Sequence, residues 1–243
     1  MKTITLTIAA SVCLILSAAA QEINSELKPF NRVIASPHVN VVLTRGDHEN
    51  IRLVYEGVPA EKINIKQNGR TLHIFLDKAR VAEKTHKHGY ATPSMYSGAR
   101  LTAYITYRSI EEVEIRGSQE LSCLDPIRSR RFVLRAYGEN DITFASLNTE
   151  YFVTKLYGEN TLRIDDGKAD FQKYSLYGNN DINTVALKSY SATANLFGES
   201  SLHLYTADEL KVSSFGEGEV HYAGDAQVNH RLVFGNARVS RLD

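Results

Sequence analysis

A glycine recurs about every 20 residues through the second half of the chain, and this repeat restricts the fold more than any other feature. Six of these glycines follow an aromatic residue, and three of them precede Glu-Asn or Asn-Asn. The repeat glycines are Gly117, Gly138, Gly158, Gly178, Gly198, Gly216 and Gly235. A period of this length is typical of a solenoid, in which each repeat forms one turn of a coil and packs only against its neighbours.

Alignment on the glycine shows an alternating pattern in each copy. The position four residues after the glycine is always aliphatic and the next position is polar, as in a strand with one buried face. The aliphatic residues are Leu121, Ile142, Leu162, Ile182, Leu202, Val220 and Val239. The glycine permits a sharp bend at positive φ. We therefore predict an all-β, right-handed parallel β-helix (β-solenoid) with about 20 residues per rung and rungs about 4.8 Å apart.

The first half of the chain shows strand patterns without this repeat. Asn68-Gly69 separates two alternating segments, which is the strongest short-range signal for a β-hairpin. Residues 78–100 have no sustained period, and a loop of this length is either functional or disordered. We expect one β-solenoid domain over residues 21–243. Residues 21–110 would hold the N-terminal strands, hairpin and long loop, and residues 111–243 the glycine-aromatic repeats.

Residues 1–20 have the pattern of a secretory signal peptide. A short positive start, an apolar run over residues 4–16 and small residues before Ala20 place the cleavage after Ala20. Lipidation at Cys13 is the less favoured alternative. The mature chain then keeps Cys123 as its one cysteine, which leaves no internal disulfide, and has no further stretch apolar enough to cross a membrane. We expect an exported protein of the periplasm or the outer cell surface.

Charge and motifs argue against several functions. The 28 basic and 28 acidic residues cancel, and no basic stripe suited to nucleic acid is visible. No Gly-x-Ser-x-Gly, His-Glu-x-x-His or phosphate-binding glycine loop occurs. His86 and His88 lack further ligands at zinc-like spacing, so a solvated loop is the preferred interpretation. We expect no nucleic-acid partner, no metal, no cofactor and no catalytic activity.

The residues before the glycines are the candidate binding residues. Alternation points them outward, and the bend would let them stack as a structural ladder, which is the favoured interpretation. Exposed ring faces would instead suit sugar rings, so a glycan or another envelope component is the expected partner. The six residues are Tyr137, Tyr157, Tyr177, Phe197, Phe215 and Phe234. The asparagines that follow, as at Asn140 and Asn160, are expected to hydrogen-bond their own turns.

Acidic residues after the glycines leave two alternatives open. Stacked glutamates such as Glu139 and Glu159 could share a divalent cation between rungs, although splaying into water is favoured. A carbohydrate-active β-helix enzyme, such as a polysaccharide lyase, would need an acid within hydrogen-bond reach of a cation in a groove. The candidates for that role are Asp141, Asp181, Glu139 and Glu159 with Arg135 and Lys155.

Three segments of the first half resemble a known family. Val33-Ile34, the run Val-Asn-Val-Val-Leu-Thr-Arg-Gly-Asp at residues 39–47 and Asn-Gly-Arg-Thr-Leu-His-Ile at residues 68–74 are similar to the auto-transporter adhesin head domain known as the GIN domain. The resemblance covers roughly residues 28–240. It implies a right-handed β-helix exported by gut-type Bacteroidota, with no established enzymatic activity and no known site residues. The leading hypothesis is an exported, adhesin-like binding protein of the cell envelope. The third hypothesis is a purely structural envelope protein without a ligand.

Overall fold

The computed structural model describes residues 20–81 and 95–242. The predicted signal peptide, except Ala20, and the pair His86 and His88 lie outside the described residues. Within them the chain contains strands and one 3₁₀ turn at Ala60–Lys62, with no α-helix. No helix of the described part is long and apolar enough to cross a membrane.

The strands are numbered in chain order. They are β1 (Gln21–Glu26), β2 (Arg32–Ala35), β3 (Asn40–Arg45), β4 (Asn50–Glu56), β5 (Ile63–Asn68), β6 (Thr71–Leu76), β7 (Arg100–Tyr107), β8 (Glu112–Cys123), β9 (Ile127–Phe144), β10 (Leu147–Ile164), β11 (Gly167–Thr184), β12 (Leu187–Gly198), β13 (Ser201–Tyr205), β14 (Glu209–Gly216), β15 (Glu219–Ala223), β16 (Gln227–Phe234) and β17 (Arg238–Arg241).

The second half of the chain forms the predicted parallel β-solenoid, which has about 6 turns of roughly 20 residues. Strands β8, β9, β10 and β11 pair in parallel and each runs through its repeat glycine, whereas later turns are split into two strands. Gly158 has a φ of +105°, and a Cβ atom there would lie 2.3 Å from the carbonyl oxygen of Gly138. The corner therefore requires glycine both for its backbone angle and for its contact with the rung below.

The inward columns make the core, as predicted. The aliphatic residues four positions after each glycine are almost completely buried from Leu121 to Val220. Larger rings fill the interior between them, with Phe132 against Phe144 and Phe152 against Tyr174 in edge-to-face contacts. This edge-to-face geometry is one that aromatic pairs favour.

A ladder of buried amides also runs through the corner. Asn140 Nδ2 donates to Asn160 Oδ1 at 2.7 Å, and Asn160 Nδ2 donates to Asn180 Oδ1 at 2.9 Å. Asn180 Nδ2 continues the ladder to Ser200 Oγ at 3.1 Å. The predicted bond within a turn is present but longer, at 3.3 Å from Asn160 Nδ2 to the Tyr157 carbonyl. The asparagines therefore link rungs as well as closing their own turns.

The N-terminal strands continue the coil. Strands β2 and β3 pair in parallel with β8, and β6 and β7 pair in parallel with β2 and β3 on the other side. Beyond them β4 and β1 add antiparallel strands, and β5 pairs with β6 through the predicted Asn68-Gly69 hairpin, which is confirmed. The first half thus supplies both rungs and the end of the solenoid.

Candidate functional site

One outer sheet face of the solenoid carries the candidate binding residues. In β10 the side chains of Tyr151, Val153, Lys155 and Tyr157 are at least partly exposed, whereas the residues between them are buried or inward. The same alternation recurs in β9, β11 and β12, except that Val133 and Ser175 are buried at outward positions. Because the rungs pair in register, each outward position forms a column that runs along the solenoid.

The six predicted aromatic residues form one continuous stacked column, called here the six-ring ladder. Ring centroids of successive members lie 4.5–5.2 Å apart. The rings from Tyr137 to Phe197 are half-buried, and Phe215 and Phe234 are exposed. Burial, followed by the nearby Tyr177 and Tyr137, raises the pKa of Tyr157. The stack predicted from the sequence is therefore present.

Stacking determines which parts of the rings in the ladder are exposed to solvent. An inner ring such as Tyr177 lies between Tyr157 at 4.5 Å and Phe197 at 4.7 Å, nearly parallel to both. Its two faces are covered, and its edge is what remains for solvent. A sugar ring stacks on the face of an aromatic ring, so the inner rings are poor platforms for carbohydrate. In the described part of the chain, Tyr137 and Phe234 end the ladder and have a ring neighbour on one side.

The open face of Tyr137 borders a cleft of about 400 Å³. The residue paired with Tyr137 in the preceding rung is Arg116. The Arg116 Nε donates to Glu114 Oε1 at 2.8 Å, and Nη1 donates to the Arg80 carbonyl at 3.3 Å. These contacts hold the guanidinium along the strand. Pro37 and Val81 complete the apolar lining of the cleft.

A second, shorter aromatic column lies six residues before the ladder. Tyr151 and Phe171 stack at 5.3 Å with an interplanar angle of 13°, and they are 40% and 43% exposed. Their column continues to Arg131 in the preceding rung and to Ser191 in the following rung. Neither neighbour is a ring, so the outer faces of this pair are not covered by further stacking. Ser191 in particular is too small to cover the face of Phe171.

A groove of about 430 Å³ lies beside this pair. Its floor includes Val153 and Thr193, and the two rings form one side. We call it the aromatic–basic groove. Its side-chain lining is Arg131, Tyr151, Val153, Lys155, Phe171, Lys173, Ser191 and Thr193. Of these residues, Lys155 alone is a candidate from the sequence, and only for the enzyme alternative. The signal was available seven residues before two successive glycines, where Tyr151 and Phe171 share a column.

The cations of the groove differ from those around it. Arg135 pairs with Glu112, and Arg130 pairs with Glu150 at 3.1 Å. By contrast Arg131, Lys155 and Lys173 have no ion pair or side-chain hydrogen bond with any other described residue. The groove therefore presents three uncompensated positive charges next to two exposed rings.

The residues proposed for catalysis are not brought together. Glu139, Glu159, Asp141 and Asp181 are exposed and follow the glycine corner, whereas Arg135 and Lys155 precede it. None of these acids bonds to either cation, and Arg135 is engaged by Glu112. Within residues 20–81 and 95–242, no cluster of three or more His, Cys, Asp or Glu side chains suits a metal ion. The glutamates Glu139 and Glu159 pair in register on adjacent rungs and are exposed at the corner.

The chain is a parallel β-solenoid with a groove of about 430 Å³ on its outer face, and solenoid folds present extended surfaces on which partners can bind. The family comparison is more specific. The chain belongs to the family described as "Putative auto-transporter adhesin, head GIN domain", whose model matches residues 29–226. This confirms the resemblance noted from the three N-terminal segments. A search of the curated proteins finds no match.

Solved structures share the fold at low sequence identity. A putative adhesin of Bacteroides fragilis has a TM-score of 0.73 at 15% identity, and one of Parabacteroides merdae has 0.68 at 14%. A structure from Parabacteroides distasonis described as a putative lipid binding protein has 0.65 at 12%. In each case the match covers 93% of this chain and 98% of the other. At these identities the likeness establishes the solenoid fold.

Proposed function

We propose that this protein is an exported, non-enzymatic protein of adhesin type that binds carbohydrate in the aromatic–basic groove. The family and the adhesin structures with the same fold support the general class. The signal-peptide pattern of residues 1–20 supports export to the periplasm or the cell surface. The observation that carries the ligand class is the exposed Tyr151–Phe171 pair beside a groove of about 430 Å³.

The lining has the chemistry that a sugar requires. Binding sites for small groups combine apolar and aromatic surface with a few polar groups that fix orientation. The uncovered face of Phe171 accepts the C–H face of a pyranose ring. The hydroxyls of Ser191 and Thr193 lie beside it and both donate and accept hydrogen bonds. A polysaccharide can then continue along the sheet face across successive rungs.

The six-ring ladder has a different role in this proposal. Its inner rings stabilise the corner by stacking, because their faces are covered. Ligand contact by Tyr137, Tyr157, Tyr177, Phe197, Phe215 and Phe234 stays a prediction, and it is most readily realised at Tyr137, where the open face borders the second cleft. Variants of the two columns therefore distinguish a binding surface from a structural one.

A glycan array with the chain from residue 21 tests the proposal. We expect a defined subset of glycans to bind, and we expect Phe171→Ser to weaken that binding at least tenfold. Tyr190→Ser is the matched control, because Tyr190 is 59% exposed and does not line the groove. Calcium should not change the result, and no unsaturated sugar should be released.

Three results would contradict the proposal. Binding to no glycan would remove the carbohydrate function, and binding unaffected by Phe171→Ser would move it away from the groove. Release of unsaturated sugars would favour the lyase alternative. Vesicles with neutral and anionic headgroups serve as a further arm, and binding to vesicles without binding to glycans would replace carbohydrate with lipid as the partner.

A further inference from the structure

We infer that the aromatic–basic groove selects a polysaccharide that carries negative charges, such as a polyuronate, over neutral chains. This rests on the carbohydrate-binding function proposed above and names the substrate class of that site. The inference depends on the juxtaposition of uncompensated cations with uncovered ring faces in one groove.

The groove is positively charged, although the chain as a whole has no net charge. The 28 basic and 28 acidic residues cancel overall. Other cations on this sheet face are paired, as in Arg135 with Glu112 and Lys211 with Glu209. Arg131, Lys155 and Lys173 have no such partner among the described residues, and all three line the same groove. An uncompensated cation in a concave site raises the local concentration of anionic ligands and favours their binding.

The positions of the two lysines suit a chain of charged sugars. Lys155 and Lys173 lie on adjacent rungs and two positions apart along the strand, because Lys155 pairs with Ser175 and Val153 pairs with Lys173. Their Cα atoms are therefore about 8 Å apart, given a rung spacing of 4.8 Å and a rise of 3.3 Å per residue. Flexible lysine side chains can reach one carboxylate together or two successive carboxylates separately. Phe171 pairs with Ser191 and lies two positions before Lys173 on the same side of the strand.

Acids beside the groove do not cancel this charge. Glu209 pairs with the groove residue Ser191 on the next rung, but Lys211 engages its carboxylate. Glu150 and Asp170 lie at the corner immediately before the two rings, and both are exposed. Glu150 is engaged by Arg130 at 3.1 Å, and neither acid lines the groove. The strands that border the groove contribute Val153, Thr193 and Ser191 as its remaining side-chain surface, which adds no negative charge.

Nucleic acid is a weaker fit to the same groove. Single-stranded nucleic acid is bound by positive tracks along which successive bases stack on several rings. In the groove one ring pair has uncovered faces, and the cations lie on three rungs. A sugar chain with one charge per residue needs no longer track than this, so we favour the polysaccharide.

Titration calorimetry with two forms of one polymer tests the inference. The probes are oligomers of polygalacturonate and the same oligomers with their carboxylates methyl-esterified, at low and moderate salt. We expect the charged form to bind at least tenfold more tightly, with a preference that falls as salt rises. Lys155→Gln combined with Lys173→Gln should abolish the preference and leave binding of the ester intact.

A matched control and a second polymer complete the experiment. Lys168→Gln removes one charge from an exposed position of the same strand β11 outside the groove, and it should keep the preference. Dextran sulfate distinguishes a requirement for carboxylate from one for any anionic group. Binding of both charged polymers through the two lysines supports the inference. Thermal unfolding of each variant confirms that it is folded.

The outcomes separate the two proposals. Equal affinity for the charged and esterified oligomers, with both lost in Phe171→Ser, would overturn the charge selection and leave carbohydrate binding in place. Failure of every glycan and of both oligomers to bind would overturn both. Tighter binding of a single-stranded oligonucleotide than of polygalacturonate would overturn the inference in favour of nucleic acid.

Discussion

Two aromatic columns stand on the same outer sheet face, and they differ in length. The six-ring ladder places a ring on every rung from Tyr137 to Phe234, so its inner faces are covered by neighbouring rings. The shorter column stops after Tyr151 and Phe171, between Arg131 and Ser191. The same in-register stacking therefore closes one column and leaves the other open to a ligand.

The two columns show how a repeat protein can use some residues for its fold and others for binding. A residue type repeated on every rung stabilises the coil, because each copy packs on the next one. A residue type that occurs on only one or two rungs lacks such a neighbour, so part of its side-chain surface stays uncovered. In this solenoid the regular glycine, aromatic and asparagine columns belong to the first kind. The two rings and two lysines of the groove belong to the second kind.

The charges on this face repeat the contrast. The column that contains Lys155 also contains Arg135, Glu114, Ile34 and His73 toward the N-terminus. At that end Glu114 is buried and bonds both Arg32 and Arg116. The charge of this column is thus buried and ion-paired at Glu114, near the N-terminal end, whereas Lys155 in the middle has no ion pair.

The largest effect is expected from the regular corner. Gly158→Ala places a Cβ atom 2.3 Å from the Gly138 carbonyl oxygen at a φ of +105°. We expect a loss of at least about 3 kcal/mol in the free energy of unfolding, measured by urea denaturation. Gly69→Ala is the control, because its hairpin glycine also has positive φ but no neighbour within 4 Å, and it should cost about 1 kcal/mol. Equal losses at both sites would show that the contact between rungs does not matter.

The amide ladder should give the next largest effect. Asn160→Ala leaves the Asn140 amide and the Asn180 carbonyl oxygen without their partner in a buried site. We expect a loss of about 3 kcal/mol, because each unsatisfied buried group costs about 1–3 kcal/mol. Asn179→Ala, at an exposed position of the next rung, should change stability by less than about 0.5 kcal/mol. A neutral effect of Asn160→Ala would mean that the bonds between rungs contribute nothing.

His73, at the N-terminal end of this column, predicts that the stability of the fold depends on pH. Burial, followed by the positive charges of Arg80 and Arg116, lowers the pKa of His73 to about 4, although Glu114 opposes the shift. The unfolded chain, with an ordinary pKa of about 6.5, binds a proton more readily, so stability falls as the pH drops from about 6.5 towards 4. We expect this histidine to account for about 2–3 kcal/mol of the loss.

The variant His73→Gln isolates that contribution. It keeps a polar side chain next to Ser36, whose Oγ lies 2.9 Å from His73 Nε2. The difference in unfolding free energy between pH 7 and pH 4.5 should shrink in this variant. A difference as large as that of the natural chain would assign the acid sensitivity to other groups.

The smallest stability effects should separate the two aromatic columns. Tyr157→Ser removes two stacked contacts, and Phe171→Ser removes one. At about 0.5–1.5 kcal/mol for each pair, we expect losses of about 2 and about 1 kcal/mol in urea denaturation. A larger loss for Phe171→Ser would mean that the exposed pair is the more important of the two for the fold.

The sequence was sufficient for the regular columns. A period near 20 fixes which residues become neighbours on successive rungs, so the core, the glycine corner and the ring stack followed from alignment alone. The same alignment identified the asparagine column but did not predict the hydrogen bonds that its members make between rungs. Bonds within a turn were expected, whereas parallel pairing brings Asn140, Asn160 and Asn180 within hydrogen-bond reach of one another.

Alignment on the glycines does not reveal the N-terminal rung, and for the groove it offers only the shared column of Tyr151 and Phe171. The column of Tyr151 and Phe171 contains Arg131 on the preceding rung and Ser191 and Glu209 on the following rungs, so no single residue type marks it along the repeats. Strands β2 and β3 form a rung without the aromatic-glycine signature, with Pro37 and His38 at the corner, where His38 itself has a φ of +70°. Their neighbours in space are also about 80 residues away in sequence. These features depend on pairing between rungs that differ in sequence.

A comparison of two variants shows directly whether the short column binds ligand while the six-ring ladder stabilises the fold. The affinity of Phe171→Ser and of Tyr157→Ser for polygalacturonate oligomers is measured, and the free energy of unfolding of each variant is measured in parallel. We predict that Phe171→Ser loses at least tenfold in affinity with the smaller loss of stability, and that Tyr157→Ser keeps its affinity with the larger loss. A folded Tyr157→Ser variant that loses affinity while Phe171→Ser retains it would contradict the account.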